Sequence, residues 1–401
     1  MRLSKTSAFY LQASIILFFL AGSSAPTPLY ALYQAQWGFS SITVTVIFGI
    51  YALAVLAALL TVGSLSDYIG RRPVLVVATL LQAAAMWLFA HAHGVSELIA
   101  ARVVQGLATG GAASAIGAGM LDIDRAKGTI ANAVGPMLGT ATGGITSGLL
   151  VQYLPAPTVL VYALFGAIFV AQTIGVLLMP ESVTTRPGAL ASLKPQFRLP
   201  REIRRPMLLA TPALVGAWAL VGFYGSLGPA LLRRMAHSTS LALGGLTLFA
   251  LAGSAAVTVF LARNRSPSRL TSFGMTALLL GTGLTLVAIP GESLTLFFVG
   301  CIVAGSGFGA GFQGAIRSVL LLASPLERAG VLSVLYVVAY LAMGLPAVLG
   351  GVRAVYGGGL VETAREYALS VMVLAGLALF GSLRQRASEI APALAVEPAQ
   401  R

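Results

Sequence analysis

The sequence predicts an all-α membrane protein with twelve transmembrane helices in two six-helix, pseudo-symmetric halves. Three observations predict this fold class. Hydrophobic residues make up 57% of the 401 residues and charged residues only 9%, whereas about 25% of the residues are charged in ordinary soluble proteins. The apolar residues fall in runs long enough to cross a bilayer, which takes about 20 residues of helix. The basic residues fall in short clusters between these runs, which is how membrane topology is encoded.

Twelve apolar runs are the predicted spans. The first apolar run follows Arg2 and Lys5, and a basic start followed by an apolar run is the pattern of a signal peptide. Because eleven similar runs follow it, we interpret it as a span. In chain order the predicted spans cover residues 8–31, 41–63, 73–91, 96–121, 129–152, 157–179, 206–232, 240–262, 271–289, 294–321, 330–352 and 366–383.

The Lys and Arg residues predict the orientation. If the N-terminus is cytoplasmic, 19 of the 25 Lys and Arg residues lie on the cytoplasmic side. The exceptions are Arg233, Arg234, Arg353 and Arg365 on the opposite side, and Arg102 and Arg317 inside spans. Because cytoplasmic loops carry the excess of basic residues, we predict a multi-pass protein of the cytoplasmic (inner) membrane with both termini cytoplasmic.

The longest connection divides the spans six and six. We predict an N-terminal half at 1–180, a cytoplasmic linker at 181–205, a C-terminal half at 206–385 and a cytoplasmic tail at 386–401. The linker is too short to bury a core, so a regulatory domain is not favoured. We interpret it as a solvated segment on the anionic inner leaflet, because its basic residues are Arg186, Lys194, Arg198, Arg201, Arg204 and Arg205.

The two halves carry weakly repeated features. The fourth and fifth spans and their connection contain Gly106, Gly110, Asp124-Arg125-Ala126 and Gly135. The tenth and eleventh contain Gly305, Gly309, Glu327-Arg328-Ala329 and Gly344. Repeated halves with a site between them are typical of secondary transporters.

The segment between the second and third spans carries more chemistry than a turn requires. Its sequence is Gly63-Ser64-Leu65-Ser66-Asp67-Tyr68-Ile69-Gly70-Arg71-Arg72-Pro73. Gly63 and Gly70 allow close backbone approach and left-handed turns, Pro73 can begin a helix, and Asp67 can cap a helix N-terminus. Ordinary basic anchoring at the inner surface explains the two arginines, but neither the aspartate nor the glycines.

This segment resembles the loop between the second and third helices of the major facilitator superfamily. The resemblance implies the major facilitator fold and a conformational latch on the cytoplasmic side, made of Gly63, Asp67, Gly70, Arg71, Arg72 and Asp122. It implies that Arg71 pairs with Asp122 and that Asp67 caps the eleventh helix near Gly330. Such a latch would hold the outward-open state and break when the inner side opens.

A second motif, Arg102-Val103-Val104-Gln105-Gly106, lies within the fourth span. A charged residue there is costly, and so it is a functional candidate, although a long Arg side chain can also snorkel to the interface. The spacing is similar to a second motif of the superfamily, whose arginine is implicated in proton coupling. We therefore expect Arg102, Gln105 and Gly106 to take part in coupling, with Glu97 as a further partner.

A third motif lies in the fifth span, where Gly135 and Pro136 are followed by Gly139 and Gly143-Gly144. Small residues at four-residue spacing let another helix pack closely, and a proline bends the helix; packing alone accounts for the glycines. The pattern resembles the helix-bend motif of drug–proton antiporters and other exporters. The match is partial, because Ala131 stands where the motif has glycine and the Gly-Gly pair comes late. On this resemblance we favour export over import.

The superfamily fold implies a central cavity lined by the first, fourth, seventh and tenth spans. The candidate lining residues are Gln12, Tyr30, Arg102, Trp218, Tyr224 and Gln313, with Tyr336, Tyr340 and Met343 from the eleventh span. Each alone is more commonly a packing residue, but together they would form a mostly apolar pocket with a few polar groups. No Asp or Glu lies in the middle of a predicted span, which favours a neutral or anionic cargo over a cationic one.

The sequence contains no signature of an enzyme. It has no glycine-rich phosphate loop followed by Lys-Ser or Lys-Thr, so an ion or solute gradient must supply the energy. His91-Ala92-His93 lacks a third metal ligand nearby, and Cys301 is the single cysteine, so we expect no metal site, cofactor or internal disulfide. The net charge of +13 follows membrane topology, which argues against nucleic acid as a partner.

We therefore predict a secondary transporter that moves a small molecule by alternating access, expected to be a monomer. Its expected partners are the small-molecule substrate, protons and the lipid bilayer, and proton-coupled multidrug efflux is the favoured activity. Two alternatives remain open. One is an importer or facilitator of an anionic or neutral solute, and the other is a non-transporting membrane sensor, which would not need Arg102 inside a span.

Overall fold

The computed structural model describes residues 2–195, 197, 199–324 and 327–395. These ranges are helical almost throughout and contain no strand. The helices in chain order are α1 (Lys5–Ser24), α2 (Pro26–Trp37), α3 (Ser41–Val62), α4 (Ser66–Ile69), α5 (Arg71–Ala90), α6 (Val95–Ile123), α7 (Arg125–Tyr153), α8 (Pro157–Leu177), α9 (Ala189–Ser192), α10 (Arg201–Ser226), α11 (Gly228–Met235), α12 (Ala242–Leu261), α13 (Pro267–Ala288), α14 (Leu294–Leu320), α15 (Arg328–Tyr356) and α16 (Gly359–Ala395).

The long helices coincide with the twelve predicted spans and confirm the all-α fold. Within the described ranges, ten helical stretches are long and apolar enough to cross a membrane, counting α1 and α2 together. The other two spans are α6 and α7, each 29 residues long. They are less apolar because they carry many glycines, such as Gly106, and several polar side chains, such as Arg102 and Gln105.

The first span of each half is broken, which the sequence analysis did not predict. α1 meets α2 at Ala25, just before Pro26, and α10 meets α11 at Leu227, two residues before Pro229. A proline has no N–H to donate to the carbonyl four residues earlier. The carbonyls of Gly22 and Gly225 are therefore released from the helix at equivalent places in the two halves.

The last helix is longer than predicted. α16 begins before residue 366 and runs on to Ala395, through most of the segment predicted as a tail at 386–401. Charged residues end the apolar run near 384, but Arg, Gln and Ala are favourable helix formers, so the helix continues. The rest of the predicted tail, 396–401, lies outside the described residues.

The spans alternate in direction, so their connections lie on two sides. The start of α1, the 63–70 segment and the 181–205 linker share one side, which we name the linker side. Hydrogen bonds join them there, from Leu3 N to Leu178 O at 2.9 Å and from Ser64 Oγ to Ser192 O at 3.0 Å. The opposite side, with the connections after α2, α5, α7 and α11, is named the far side.

The two halves meet along α7 with α12 and along α3 with α15. Between the halves, the hydrogen bonds of the described residues all lie toward the far side. Gln152 Oε1 accepts from Ser240 Oγ at 3.1 Å and from Leu241 N at 3.0 Å. Thr27 Oγ1 lies 3.5 Å from the released carbonyl of Gly225. The far side is therefore the closed side of this conformation.

The pseudo-symmetry of the halves extends to their glycines. Gly106 and Gly110 of α6 pack against α3, where a Cβ at Gly106 would lie 2.6 Å from the Ala54 methyl group. Gly305 and Gly309 of α14 pack against α12 in the same way, and a Cβ at Gly309 would lie 2.7 Å from the carbonyl of the residue it faces. The second and fourth spans of each half therefore approach more closely than larger residues would allow.

Candidate functional site

The cluster around Arg71 on the linker side is the first part of the site. Arg71 is only 7% exposed, and its guanidinium forms ion pairs with Asp67 and, at 3.5 Å, with Asp122. Its Nη1 also donates to Ser66 Oγ at 2.7 Å. The structure therefore brings together Arg71 and Asp122, as the sequence analysis expected.

Asp67 does not cap the eleventh span in this conformation. Its carboxylate is engaged by Arg71, and the N-terminus of α15, at Glu327, has no side-chain cap. Gly70 has φ of +102°, a left-handed value that favours glycine. Gly63 has a right-handed φ of −58°, so only one of the two predicted glycine turns is left-handed.

Glu181 is the residue that caps a helix here, and the sequence analysis missed it. Glu181 Oε1 accepts from Arg71 N and its Oε2 accepts from Arg72 N, both at 2.9 Å. A carboxylate at this place satisfies free N–H groups and interacts favourably with the helix dipole. The side chain of Arg72 forms no ion pair with a described residue. No spacing could signal the cap, because Glu181 follows Arg71 by 110 residues.

The first part of the linker is largely exposed, as expected for a solvated segment, but hydrogen bonds attach it to the protein. Arg186 donates from Nε to Asp67 O at 3.1 Å, and its guanidinium lies 4.7 Å from the ring centre of Tyr68. Ser182 Oγ donates to Asp122 Oδ2 at 3.1 Å. These bonds hold the linker against the 63–70 segment because its polar groups find fixed partners there. Arg198 of the predicted linker lies outside the described residues.

The repeated acid-Arg-Ala connections differ in detail. Asp124 caps α7 by accepting from Lys127 N at 3.0 Å, and this backbone hydrogen bond lowers the pKa of the Asp124 carboxyl. Glu327 instead turns back to accept from Ser324 Oγ at 2.6 Å. The longer Glu side chain reaches the preceding loop, so the repeated sequence does not give a repeated cap.

Arg102 is buried and does not snorkel. It is 1% exposed, and it donates to Tyr30 Oη at 2.6 and 2.9 Å, to Ser23 O at 2.7 Å and to Gln105 Oε1 at 2.6 Å. No carboxylate of the described residues forms an ion pair with it. The expected partner Glu97 instead accepts from Ser96 Oγ at the far-side start of α6.

The surroundings of Arg102 explain how a cation is tolerated there. Its guanidinium lies 5.2–5.7 Å from the ring centres of Tyr30, Tyr51 and Phe89, where cation–π attraction is favourable. The carbonyl of Ser23 belongs to the last turn of α1, where the helix dipole favours a positive charge. Oriented dipoles and aromatic faces therefore replace a counter-ion.

Arg102 and Gln105 together hold the break between α1 and α2. Gln105 Nε2 donates to Gly22 O at 3.0 Å, which is the carbonyl that Pro26 leaves without a helical partner. Gln105 thus satisfies the break on one side while it accepts from Arg102 on the other. Two of the three predicted coupling residues, Arg102 and Gln105, therefore contact the bend of the first span.

The helix-bend motif of α7 packs against the break between α1 and α2 from the side opposite α6. Gly139 and Gly143 lie against the carbonyls of Leu17 and Ala21, so close that a Cβ at either would overlap them. Gly135 packs on Ile16 in the same row. Ser24 Oγ donates to Thr140 O at 3.1 Å, and Ser147 Oγ donates to Ala25 O at 2.5 Å. The motif of α6 and the motif of α7 therefore contact the bend of the first span from opposite sides.

A cavity of about 160 Å³ lies between the two halves. Its wall is mainly apolar and aromatic, and no Asp, Glu, Lys, Arg or His contributes to it. The lining residues are Leu20, Ser23, Ser24, Thr27, Phe48, Tyr51, Pro136, Met137, Thr140, Trp218, Val221, Gly225, Leu248, Leu251, Ala252, Phe308, Phe312, Tyr340 and Met343.

The cavity draws partly on the spans expected. The first, seventh and tenth spans contribute as predicted, and so does the eleventh through Tyr340 and Met343. The fourth span does not contribute, whereas the second, fifth and eighth do. Gly106 and Gly110 pack α6 closely on α3, and of these two helices it is α3 that lines the cavity, with Phe48 and Tyr51.

Three of the candidate lining residues, Trp218, Tyr340 and Met343, line the cavity, and the others lie elsewhere. Tyr30 is bound to Arg102, and neither faces the cavity. Gln12 is buried against Gly119 of α6. Tyr224 points into the second half, 3.0 Å from Thr285 Oγ1. Gln313 and Tyr336 are not among the lining residues.

A family model and one related transporter match this chain in sequence. The family model of the Major Facilitator Superfamily matches residues 13–351. An MFS-type transporter, mpsC of Macrophomina phaseolina (strain MS6), is 30% identical over 157 residues, which are 38% of this chain. The matched stretch spans only 31% of that relative.

Solved transporter structures share the fold along almost the whole chain. A bacterial homolog of the human lysosomal transporter Spinster, in an inward-facing and unoccupied conformation, has a TM-score of 0.76 at 14% identity, covering 94% of this chain and 97% of that one. The nucleoside transporter NupG has a TM-score of 0.65 at 14% identity, covering 96% and 98%. The human organic anion transporter MFSD10 (TETRAN) has 0.64 at 18% identity, covering 94% and 100%. At these identities the likeness concerns the fold alone.

Proposed function

This chain belongs to the Major Facilitator Superfamily, a superfamily of transporters rather than enzymes, and from that premise we propose that it is a secondary active transporter. It moves a small molecule across the cytoplasmic membrane by alternating access. Transport is directed out of the cell and is coupled to protons. The observation that carries the proposal is the central cavity between the two halves. In the part of the chain described, the hydrogen bonds that join the halves lie toward the far side, so the cavity is closed on that side.

The conformation supports a rocking movement of the halves around this cavity. Among the described residues, the ion pairs of the Arg71 cluster and the hydrogen bonds of the first part of the linker are all made within the first half and the linker itself. The latch expected between Asp67 and the eleventh span is therefore open here, while the far side is closed. We assign the linker side to the cytoplasm, following the distribution of Lys and Arg, which makes this the inward-facing state.

Efflux is proposed from the helix-bend motif. Gly135, Pro136 and Gly139 place α7 tightly against α1, and Pro136 itself lines the cavity. The first span can then change its bend only together with α7. Since no titratable carboxylate lines the cavity, the coupling proton is carried by an acid near the membrane edge, such as those beside Arg71.

Vesicles test both the activity and its direction. Inside-out membrane vesicles containing the overproduced protein are given a compound to which it confers tolerance, chosen from a panel of neutral, anionic and cationic toxic compounds. An acidic lumen is expected to drive uptake of the compound, counter to the protons. Uptake that ignores the pH gradient favours a facilitator, and expulsion from the acidic lumen favours an importer. Absence of protein-dependent flux for the whole panel contradicts transport and favours a membrane sensor.

A further inference from the structure

The chemistry of the central cavity defines a class of ligand. We infer that the cavity binds an uncharged aromatic molecule of one or two rings that carries a hydrogen-bond acceptor, and that the acceptor binds the indole N–H of Trp218. The inference deepens the proposed function by naming its substrate class. Binding can be measured without transport, so the two can fail separately.

The size of the cavity sets the size of the ligand. An engineered apolar cavity of about 150 Å³ holds one benzene molecule, and this cavity has about 160 Å³ before any side chain moves. A single ring fits without rearrangement. A second ring fits if it extends along the opening between the two halves.

The wall of the second half is built for flat rings. The ring of Trp218 lies 6.0 Å from that of Phe308 and 5.2 Å from that of Phe312, edge to face in both pairs. Phe308 and Phe312 are parallel to within 8°, and Tyr340 lies 5.3 Å from Trp218. Edge-to-face and offset stacking are the favourable aromatic geometries, so an aromatic ligand can join this cluster without breaking it.

The charge of the lining excludes ionised ligands. No charged residue lines the cavity, and the nearby cation, Arg102, is 1% exposed and already bound to Tyr30, Ser23 and Gln105. An ion that enters such a space loses its water without gaining a counter-ion, which is expensive. A neutral molecule avoids this cost.

An unpaired donor on one wall residue, Trp218, specifies an acceptor on the ligand. Trp218 lines the cavity, and its Nε1 has no hydrogen-bond partner among the described residues and is covered by neighbouring atoms in this conformation. An indole N–H can only donate, and it meets an acceptor in the cavity when the ring turns slightly toward it. The hydroxyls of Ser23, Ser24 and Thr140 already donate to main-chain carbonyls. An unsatisfied buried donor is costly, so a ligand whose carbonyl or ether oxygen reaches Nε1 gains affinity over an equally apolar one.

Four naphthalenes of nearly equal shape test the inference with the purified full-length protein in detergent. They are 2-acetylnaphthalene, 2-isopropenylnaphthalene, 2-naphthoate and 2-naphthamidinium, titrated calorimetrically with empty micelles as the blank. We expect 2-acetylnaphthalene to bind about five-fold more tightly than 2-isopropenylnaphthalene, the effect of one neutral hydrogen bond. The two ions are expected to bind at least about ten-fold more weakly.

Variants of tryptophan assign the effect to one N–H group. Trp218→Phe keeps an aromatic ring and removes the donor, so it should abolish the preference for the acetyl over the isopropenyl compound. Trp87→Phe is the matched control, because Trp87 is 61% exposed and lies outside the cavity, and it should keep the preference.

The outcomes are separable. Tighter binding of either ion, or a preference that survives Trp218→Phe, overturns the inference. Binding of no naphthalene while a pH gradient still drives transport overturns the inference and leaves the proposed function intact. Selective binding of the neutral acceptor without any transport supports the inference and contradicts the proposed function.

Discussion

Glu181 closes the N-terminus of the helix that begins at Arg71: its carboxylate accepts from the main-chain N–H of Arg71 at 2.9 Å while the guanidinium of Arg71 turns away to Asp67 and Asp122. The start of the linker is thus fixed to the start of the third span. Two carboxylates, Asp67 and Asp122, share the guanidinium, so Asp67 can leave for another partner without stranding the cation. The cluster therefore combines a main-chain cap with a guanidinium that two carboxylates share, and we propose that the pair with Asp67 is exchangeable.

Glu181→Gln tests the fixed cap. The amide keeps one acceptor but loses the charge and the second acceptor, so we expect the free energy of unfolding to fall by about 1 kcal/mol, as for other helix caps. The thermal midpoint in detergent measures it. Glu292→Gln is the control, because it changes only an exposed pair with His237 on the far side and should leave the midpoint almost unchanged. Equal midpoints for Glu181→Gln and the parent protein would contradict the cap.

Asp67→Asn and Arg71→Ala test the exchangeable pair. The side chains of Asp67 and Asp122 are 42% and 37% exposed, and an ion pair with an exposed group contributes only about 0–1 kcal/mol, so both variants should fold and reach the membrane. We expect transport to fall sharply because the balance between the two conformations changes. Transport rates are to be normalised to the amount of protein in the membrane. If both variants transport like the parent protein, the latch role is rejected.

Arg102→Lys tests the support of the bent first span. Lysine keeps the charge but cannot donate to Tyr30, Ser23 and Gln105 together, because it lacks the planar fork of arginine. With these buried acceptors left unpaired, we expect a loss of at least about 2 kcal/mol in stability. Thermal unfolding in detergent measures it, and Arg317→Lys, near the linker-side end of α14, is the control. A stability loss no larger than that of the control would show that the four hydrogen bonds are dispensable.

Cysteine labelling tests the orientation. The native Cys301 is buried and gives little background. Leu190→Cys, at a position 85% exposed in the linker, should resist a membrane-impermeant reagent in intact cells, whereas Glu292→Cys on the far side should react. The reverse pattern would mean that the linker side faces outward.

The sequence alone determined the twelve spans and the position of the three motifs, because the length of apolar runs and the spacing of Gly, Pro and charged residues are local properties of the chain. It also placed Arg71 with Asp122 through a family resemblance. The break in each first span left a local signal as well, in Pro26 and Pro229, which the search for long apolar runs passed over.

Only the tertiary structure decided what the motif residues touch. Glu181 reaches Arg71 across 110 residues, and Gln105 reaches the carbonyl freed by Pro26 from another helix, so neither contact follows from spacing along the chain. The cavity wall was decided in the same way. Phe48 and Tyr51 of α3 line the cavity, whereas no residue of α6 does. Which of two apolar helices faces the cavity depends on packing between helices, which composition does not encode.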